Sequence, residues 1–312
     1  MTLILSSGGG RLGNQILNLI HLTALSNEYD IEFKKLSDLF IEAQDKSIIY
    51  KIEKNNINWR IMYEDKEKNL FNKIFLKFFI RLIHFLFYIS PNKKSYKIGY
   101  KNNFPKFIIG KKLSNNITSY ELVKEAKIFD IVLTGWGLRD WELVFKYKDQ
   151  VVKNISKGFD IFTKTKNDCQ NNYLFVHIRR SDFLRINQLE ELNFSDSLWL
   201  KSIIKVAFFE SIKRVVIFSD SNICNSFISS LNSKGIDVIF LHTGKENNGN
   251  FLEFFVRYLY GAKAVICNAS TLVMSISFLY HDFIYLPSRK KEFQRLDLNQ
   301  AHTSFPSSLN WK

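Results

Sequence analysis

The chain has 312 residues, of which 46% are hydrophobic and 24% charged, and its formal charge is +14. These are the values of a folded globular protein, which excludes a disordered or collagen-like chain. The length allows one large or two ordinary domains. The excess of Lys and Arg favours an anionic partner such as a nucleotide, a nucleic acid or an acidic membrane surface.

The first residues predict a β-strand, because they include a short apolar run without the basic segment of a signal peptide. The three cysteines, Cys169, Cys224 and Cys267, are far apart and form no CxxC pair, which indicates neither a disulfide framework nor a zinc site. A reducing, cytoplasmic compartment is therefore expected.

The first predicted unit is strand Leu3–Ser6, a glycine loop, a helix from about Gly13 to Ser26 and strand Ile31–Phe33. The loop and helix start read Gly8-Gly9-Gly10-Arg11-Leu12-Gly13-Asn14-Gln15, which matches G-x-G-x-x-G, and Glu32 follows on the next strand. This context is typical of dinucleotide binding at a helix N-terminus. A flexible turn without a ligand is the alternative.

Residues 70–89 predict a basic amphipathic helix. Lys73, Lys77, Arg81 and His84 recur every three or four residues among Phe, Leu and Ile. A helix of this length could span a bilayer, but charges near its centre would be costly there. We expect it to lie on an anionic leaflet, with packing against the sheet as the alternative.

A further βα unit, strand Ile131–Thr134 and a helix near Trp141–Val152, precedes the polar stretch Ser156–Asn172. That stretch predicts a boundary between an N-terminal domain, residues 1–160, and a C-terminal domain, residues 171–312.

The C-terminal half predicts a regular alternation of strands and helices, typical of a Rossmann-like domain whose parallel sheet is buried on both faces. The predicted strands are Tyr173–Ile178, Val215–Phe218, Ile236–Leu241, Ala264–Cys267 and Phe283–Leu286. The predicted helices are Asp196–Ile212, Ile223–Leu231, Phe251–Tyr260 and Thr271–Leu279.

Polar residues follow three of these strands. His177-Ile-Arg179-Arg180-Ser-Asp182 ends the first, Phe218-Ser219-Asp220 the second, and Cys267-Asn268-Ala-Ser270-Thr271 a later one. Carboxyl ends of strands are where open α/β sheets bind ligands. One guanidinium could clamp a diphosphate while the other pairs with Asp182, and the last helix start could bind phosphate or carry a cap. A structural ion-pair cluster is the alternative for the arginines.

In order and spacing, these motifs resemble the alpha-1,2-fucosyltransferase family. The residues that carry the resemblance are Gly10 to Gln15, the His-x-Arg-Arg-x-Asp-Phe run at 177–183, Phe-Ser-Asp at 218–220, Asn-Ala-Ser-Thr at 268–271 and, more loosely, residues 133–141. The chain departs from the family at Ser221, where an acid is usual, and from Leu272 onward.

The resemblance implies an α/β fold of two Rossmann-like domains facing across a cleft (GT-B type), GDP-fucose as donor, a glycan acceptor and inversion at the anomeric carbon. It implies no metal and no cofactor beyond the GDP-sugar. Arg179 and Arg180 would bind the diphosphate and, with His177 and Asp182, form the catalytic group. Ser219, Asp220, Asn268, Ser270 and Thr271 would bind the donor. Gly10, Arg11, Gly13, Asn14 and Gln15 would lie on the acceptor side of the cleft.

The acceptor hydroxyl needs a base, and His177, Asp182 and Asp140 are candidates. We expect a cytoplasmic enzyme, peripheral on the inner face of the membrane, acting on an oligosaccharide or lipid-linked glycan and not on nucleic acid. The alternatives are an NAD(P)-dependent oxidoreductase that uses the glycine loop and a non-enzymatic nucleic-acid-binding protein.

Overall fold

A computed structural model gives the fold. It describes residues 2–5, 12–29, 32–35, 48–54, 57–62, 93–97, 130–134, 140–163, 172–180, 194–242, 251–268 and 270–299, and single positions 78, 82, 85, 86, 89 and 124. The chain divides into two compact units, Met1–Gly158 with Asn310–Lys312, and Phe159–Leu309.

The first unit contains a sheet of six described strands. They are β1 Thr2–Leu5, β2 Glu32–Lys35, β3 Ile48–Lys54, β4 Ile57–Met62, β5 Lys93–Lys97 and β6 Asp130–Thr134, in the order β3-β4-β2-β1-β6-β5. The pairs are parallel except β3 with β4. The helices are α1 Leu12–Tyr29, α2 Trp141–Lys146 and α3 Lys148–Thr163.

Three features of this unit differ from the predictions. Strands β3, β4 and β5 were not expected. The single helix predicted near Trp141–Val152 is two helices, and the second continues to Thr163, into the stretch predicted as a polar boundary. Val151 and Ile155, four residues apart, are buried on one face of helix α3.

The second unit has the predicted alternation. Its strands are β7 Leu174–Ile178, β8 Arg214–Ser219, β9 Asp237–His242, β10 Ala264–Cys267, β11 Phe283–Ser288 and β12 Glu292–Asp297. Its helices are α4 Asp196–Phe209, α5 Asn225–Asn232, α6 Phe251–Gly261 and α7 Thr271–Tyr280. The predicted α/β fold with two Rossmann-like sheets is confirmed.

The strand order of this unit is β12-β11-β10-β7-β8-β9. Strands β8 and β9 therefore follow β7 toward one edge of the sheet, and β10, β11 and β12 follow one another toward the opposite edge. Every pair is parallel except β11 with β12, an edge strand that the sequence pattern did not predict. The order reverses between β7 and β10, which is the switch point at which ligands enter doubly wound sheets.

Both faces of β7 are buried, and alternate residues of the strand point to opposite faces. Leu174, Val176 and Ile178 belong to a core that includes Trp199 and Ile203 of α4. On the other face, three phenylalanine rings of β7, β8 and α6 pack with centroids 5.1 to 5.3 Å apart: Phe175, Phe218 and Phe255. This two-sided packing fixes the carboxyl end of β7.

Local signals explain where two helices begin and end. Ser195 caps α4, its hydroxyl accepting a hydrogen bond from the Leu198 amide at 3.3 Å. Past the end of α5, Gly235 has φ +75°, a conformation that side chains disfavour. Among the described residues, no helix combines the length and apolar character needed to cross a bilayer.

Candidate functional site

The predicted polar residues of the second unit meet at the switch point of its sheet. Strands β10, β7 and β8 are neighbours, with Cys267 opposite His177 and Ser219 opposite Ile178. Residues that follow these strands therefore lie at one edge, at the position expected for a ligand of this fold.

Asn268 fixes the backbone of Arg179 from both sides. Its side-chain oxygen accepts a hydrogen bond from the Arg179 amide at 3.3 Å, and its side-chain nitrogen donates to the Arg179 carbonyl at 2.7 Å. Asn268 is 2% exposed. A buried, doubly bonded amide is costly to replace, so β10 holds the first arginine in place.

Arg180 is held by two carboxylates. Asp220 accepts a hydrogen bond from the Arg180 amide at 2.8 Å, and Asp196, the first residue of α4, accepts one from the guanidinium Nη2. The Arg180 side chain is 19% exposed, and its buried Nε has no hydrogen-bond partner among the described residues. The guanidinium thus retains a donor for a further acceptor.

Asp196 is a partner of Arg180 that the sequence did not predict. The predicted pairing of one of the two arginines with Asp182 stays a prediction, because Asp182 lies outside the described residues. Asp196 lies 16 residues beyond Arg180 along the chain. The only local signal for it was an acidic residue directly after the Ser195 cap, which is also an ordinary feature of helix starts.

His177 is nearly buried, at 7% exposure, with its ring edge-on to Phe255 at 5.5 Å. Burial, and secondarily the nearby Arg179 charge, lowers the pKa of His177 to about 4, against an opposing effect of Asp220. The imidazole is therefore neutral at pH 7, and its buried Nδ1 has no partner among the described residues. A group with this pKa is a weak base, which disfavours His177 as the general base.

The remaining strand-end residues, Ser219, Ser270 and Thr271, are also buried. Ser219 is fully buried, with its hydroxyl 3.2 Å from that of Ser221. Ser270 is the N-cap of α7, yet its hydroxyl makes no capping hydrogen bond. Thr271 begins that helix and its carbonyl accepts from Ser275. The helix start consequently lacks the side-chain cap that was one predicted role of these residues, and its amide groups can bind an anion.

The predicted acceptor-side residues are only partly described. Gly10 and Arg11 lie outside the described residues. Gly13 is buried in α1, and Asn14 and Gln15 belong to the same helix, but their side chains lie outside the description. The acceptor-side role of these five residues stays a prediction.

Glu32 lies at the wrong end of its strand for dinucleotide binding. It begins β2 and pairs with Thr2, the first residue of β1, whereas the glycine loop follows the other end of β1. The strand rise puts these two ends about 10 Å apart. Because ligands bind at carboxyl ends, the position of Glu32 weakens the oxidoreductase alternative.

Asp140, another candidate base, has a structural role. Its carboxylate caps α2 by accepting from the Leu143 amide at 3.1 Å, and its own amide donates to His21 Nδ1 at 2.9 Å. His21 is 1% exposed and packs edge-on against Trp141. This buried histidine joins α1 to α2 and was not predicted as a functional or structural residue from the sequence.

No group of three or more His, Cys, Asp or Glu residues that could hold a metal ion occurs in the described part of the chain. Metal independence remains a prediction.

Comparison with known proteins gives structural neighbours only. No family model matches the chain, and no curated protein matches its sequence significantly. The solved structure of POFUT1 in complex with GDP-fucose is similar at a TM-score of 0.48 and 12% identity, covering 90% of this chain and 94% of that one. The E. coli heptosyltransferase WaaC with ADP gives a TM-score of 0.39 and 13% identity over 90% and 86% of the two chains.

Proposed function

We propose that the second unit binds the diphosphate of a nucleotide sugar at the carboxyl ends of β10, β7 and β8, and that the protein is a glycosyltransferase. The observation that carries this proposal is the pair Arg179–Arg180, held at the switch point of the sheet by Asn268, Asp220 and Asp196. Two guanidinium groups at that point suit a diphosphate, because Arg binds phosphate oxygens through paired donors.

The environment favours an anionic ligand over a structural ion pair alone. Asp196 takes up one donor of Arg180 and leaves the buried Nε available. The uncapped start of α7 adds backbone amides, and the dipole of that helix favours negative charge. His177 is neutral and so adds no positive charge beside that of the two arginines.

For the finer activity we propose an inverting alpha-1,2-fucosyltransferase that uses GDP-fucose without a metal. This choice rests on the resemblance carried by Gly10 to Gln15, the 177–183 run and the motifs at 218–220 and 268–271. An acceptor hydroxyl forms a new C–O bond at the anomeric carbon as the bond from that carbon to the diphosphate oxygen breaks. GDP leaves with the electron pair, and the hydroxyl proton goes to a base.

In this proposal Arg179 and Arg180 stabilise the negative charge that develops on the departing diphosphate. Asp220, Ser219, Asn268, Ser270 and Thr271 shape the donor pocket around them. Asp182 is the remaining candidate base, because His177 has a low pKa and the Asp140 carboxylate caps a helix. Residues 10–15 bind the glycan acceptor in this proposal.

The test is a binding screen of the purified protein with GDP-fucose, GDP, UDP, ADP and NAD, each with and without EDTA. A ligand at about 100 times its dissociation constant stabilises the folded state by about 2.7 kcal/mol, which a thermal shift detects. We expect stabilisation by GDP and GDP-fucose that survives EDTA. A shift with NAD alone would favour the oxidoreductase, and no shift with any nucleotide would reject the proposed site.

Activity is measured separately with GDP-fucose and galactoside acceptors. The proposal predicts GDP release that depends on acceptor, and a product whose new linkage NMR assigns to O2 of galactose. Binding of GDP-fucose with transfer to another position would retain the glycosyltransferase and reject the alpha-1,2 assignment.

A further inference from the structure

Five described residues between positions 78 and 89 are helical, and all are large, solvent-exposed apolar residues: Phe78 at 63%, Leu82 at 38%, Phe85 at 45%, Leu86 at 48% and Ile89 at 58% exposure. With 3.6 residues per turn, their spacing confines them to an arc of about 100°. Single exposed apolar residues are ordinary on protein surfaces, but five on one helical face indicate a binding surface. We call this surface the 78–89 face.

The sequence around the 78–89 face is strongly basic. Between Lys68 and Tyr120 there are 11 Lys and Arg residues and no Asp or Glu. This segment therefore carries most of the formal charge of +14. Three of its lysines belong to β5, Lys93–Lys97, an edge strand of the first sheet that begins four residues after Ile89.

We propose that the 78–89 face docks on the surface of an anionic lipid bilayer. Apolar side chains of one helical face enter the boundary between headgroups and acyl chains, and nearby cations attract acidic headgroups. The occupant is a membrane and not a second copy of the chain, because a symmetric contact would bring two segments with 11 positive charges each together.

The segment suits the membrane surface better than a transmembrane position. Lys73, Lys77 and Arg81 recur every fourth residue within the apolar stretch 70–89, and such charges are costly in the hydrocarbon core. At the interface their long side chains can reach the headgroups while the 78–89 face is buried.

The experiment is co-sedimentation of the full chain with vesicles of pure phosphatidylcholine, and with vesicles in which about a quarter of the lipid is phosphatidylglycerol. The apolar test variant is Phe78→Ser with Phe85→Ser. Its matched control is Phe208→Ser with Phe254→Ser, two phenylalanines of the second unit with similar exposure, 64% and 39%. Circular dichroism checks the fold of each variant.

The charge variant is Lys73→Gln, Lys77→Gln and Arg81→Gln, and its control replaces three exposed lysines of the second unit, Lys213, Lys234 and Lys290, by Gln. Both lower the formal charge by three. Each cation near an anionic surface raises partitioning onto it about fivefold, so we expect the charge variant to bind the acidic vesicles about a hundredfold more weakly and its control to bind nearly as well as the unchanged protein.

We expect the apolar variant to bind the acidic vesicles about tenfold more weakly, and its control less than twofold more weakly.

The results decide the proposal in either direction. Binding to the acidic vesicles that both test variants lose and both controls retain would support it. Failure of the unchanged protein to bind those vesicles would overturn it, as would equal losses in test and control variants. If the apolar variant does not fold, the charge variant decides alone. A lipid-independent dimer in light scattering that Phe78→Ser disrupts would identify a second copy as the occupant and overturn the membrane proposal.

Discussion

The Asp196 carboxylate accepts a hydrogen bond from the Arg180 guanidinium, joining the first residue of α4 to the residue after β7. The Arg180 side chain is largely buried, while the Asp196 side chain is 43% exposed. Among the described residues, Asp196 is the side chain that orients this guanidinium. In the proposed function, Asp196 is a positioning residue for the guanidinium that meets the diphosphate.

Replacing Asp196 is expected to weaken donor binding. Asp196→Ala removes the acceptor that orients Arg180, and a hydrogen bond to a charged group contributes about 1.5–3 kcal/mol, so we expect about 10- to 100-fold weaker GDP binding. Asp196→Asn keeps one oxygen and should restore part of the affinity. Calorimetric titration with GDP measures both variants.

The control for Asp196 is Asp237→Asn. Asp237 pairs with Arg214 at 3.0 Å, and both residues begin their strands, β9 and β8, away from the carboxyl ends at which the site lies. That exposed pair should contribute little to binding. If the substitutions at Asp196 and Asp237 change GDP affinity equally, Asp196 has no positioning role.

The two arginines should be needed for transfer but not for folding. Arg179→Ala or Arg180→Ala removes a positive charge that would stabilise the departing diphosphate. Loss of one preorganised donor lowers kcat by about 100- to 1000-fold in comparable sites. Arg214→Ala, at the other end of β8, should leave kcat within about twofold of the unchanged protein. Steady-state assays with GDP-fucose compare the three variants, and full activity of both site variants would remove the proposed diphosphate clamp.

The second sheet could be predicted from the sequence because its central strands are buried on both faces. Runs such as Val215–Phe218 and Ala264–Cys267 are apolar throughout, as strands of a parallel sheet covered by helices on both faces require. β12, Glu292–Asp297, escaped prediction because an edge strand carries polar and charged residues that break the pattern. β5, Lys93–Lys97, has the same character.

The hairpin of β3 and β4 could have been predicted from its turn residues. Ile48–Lys54 and Ile57–Met62 are separated by two asparagines, a type of loop that favours hairpin turns. The strand-end residues of the site could be predicted, since each directly follows its strand. Asp196 could not, because helix packing and not sequence proximity brings it to Arg180.

Asn268 should stabilise the fold as well as the site. Asn268→Ala would remove the side chain that bonds the part-buried amide and carbonyl of Arg179, which costs about 1–3 kcal/mol of unfolding free energy. Asn299→Ala is the control, because Asn299 is exposed and its side chain donates to Asp282 at 2.9 Å. Urea unfolding of both variants at pH 7 measures the difference, and equal free energies of unfolding would contradict the role assigned to Asn268.

The described cysteines should differ sharply in reactivity. Cys224 is exposed, and hydrogen bonds from Ser226 and the Phe227 amide lower its pKa, whereas burial raises the pKa of Cys267 to about 12. In a Cys169→Ser background, maleimide should label Cys224 in the folded protein and Cys267 only after unfolding. Peptide mass mapping identifies the labelled thiol, and comparable labelling of Cys267 in the folded state would contradict its burial.

His177 should make the fold sensitive to acid. Its folded pKa of about 4 lies below the ordinary value of 6.5, so the unfolded chain binds the proton more readily. The free energy of unfolding is therefore unaffected by protonation of His177 above about pH 6.5, and it decreases as the pH falls toward 4. The shift corresponds to a loss of about 3 kcal/mol.

The measurement for His177 is urea unfolding of the unchanged protein and His177→Gln between pH 7 and pH 4.5. Because burial also lowers the pKa of His281, both proteins share that contribution, and the difference between their pH profiles isolates His177. The unchanged protein should lose more stability than the variant as the pH falls. An NMR titration of the imidazole needs no variant and should give a pKa near 4. Parallel unfolding profiles together with an ordinary imidazole pKa would show that His177 is hydrated in solution and available as a base after all.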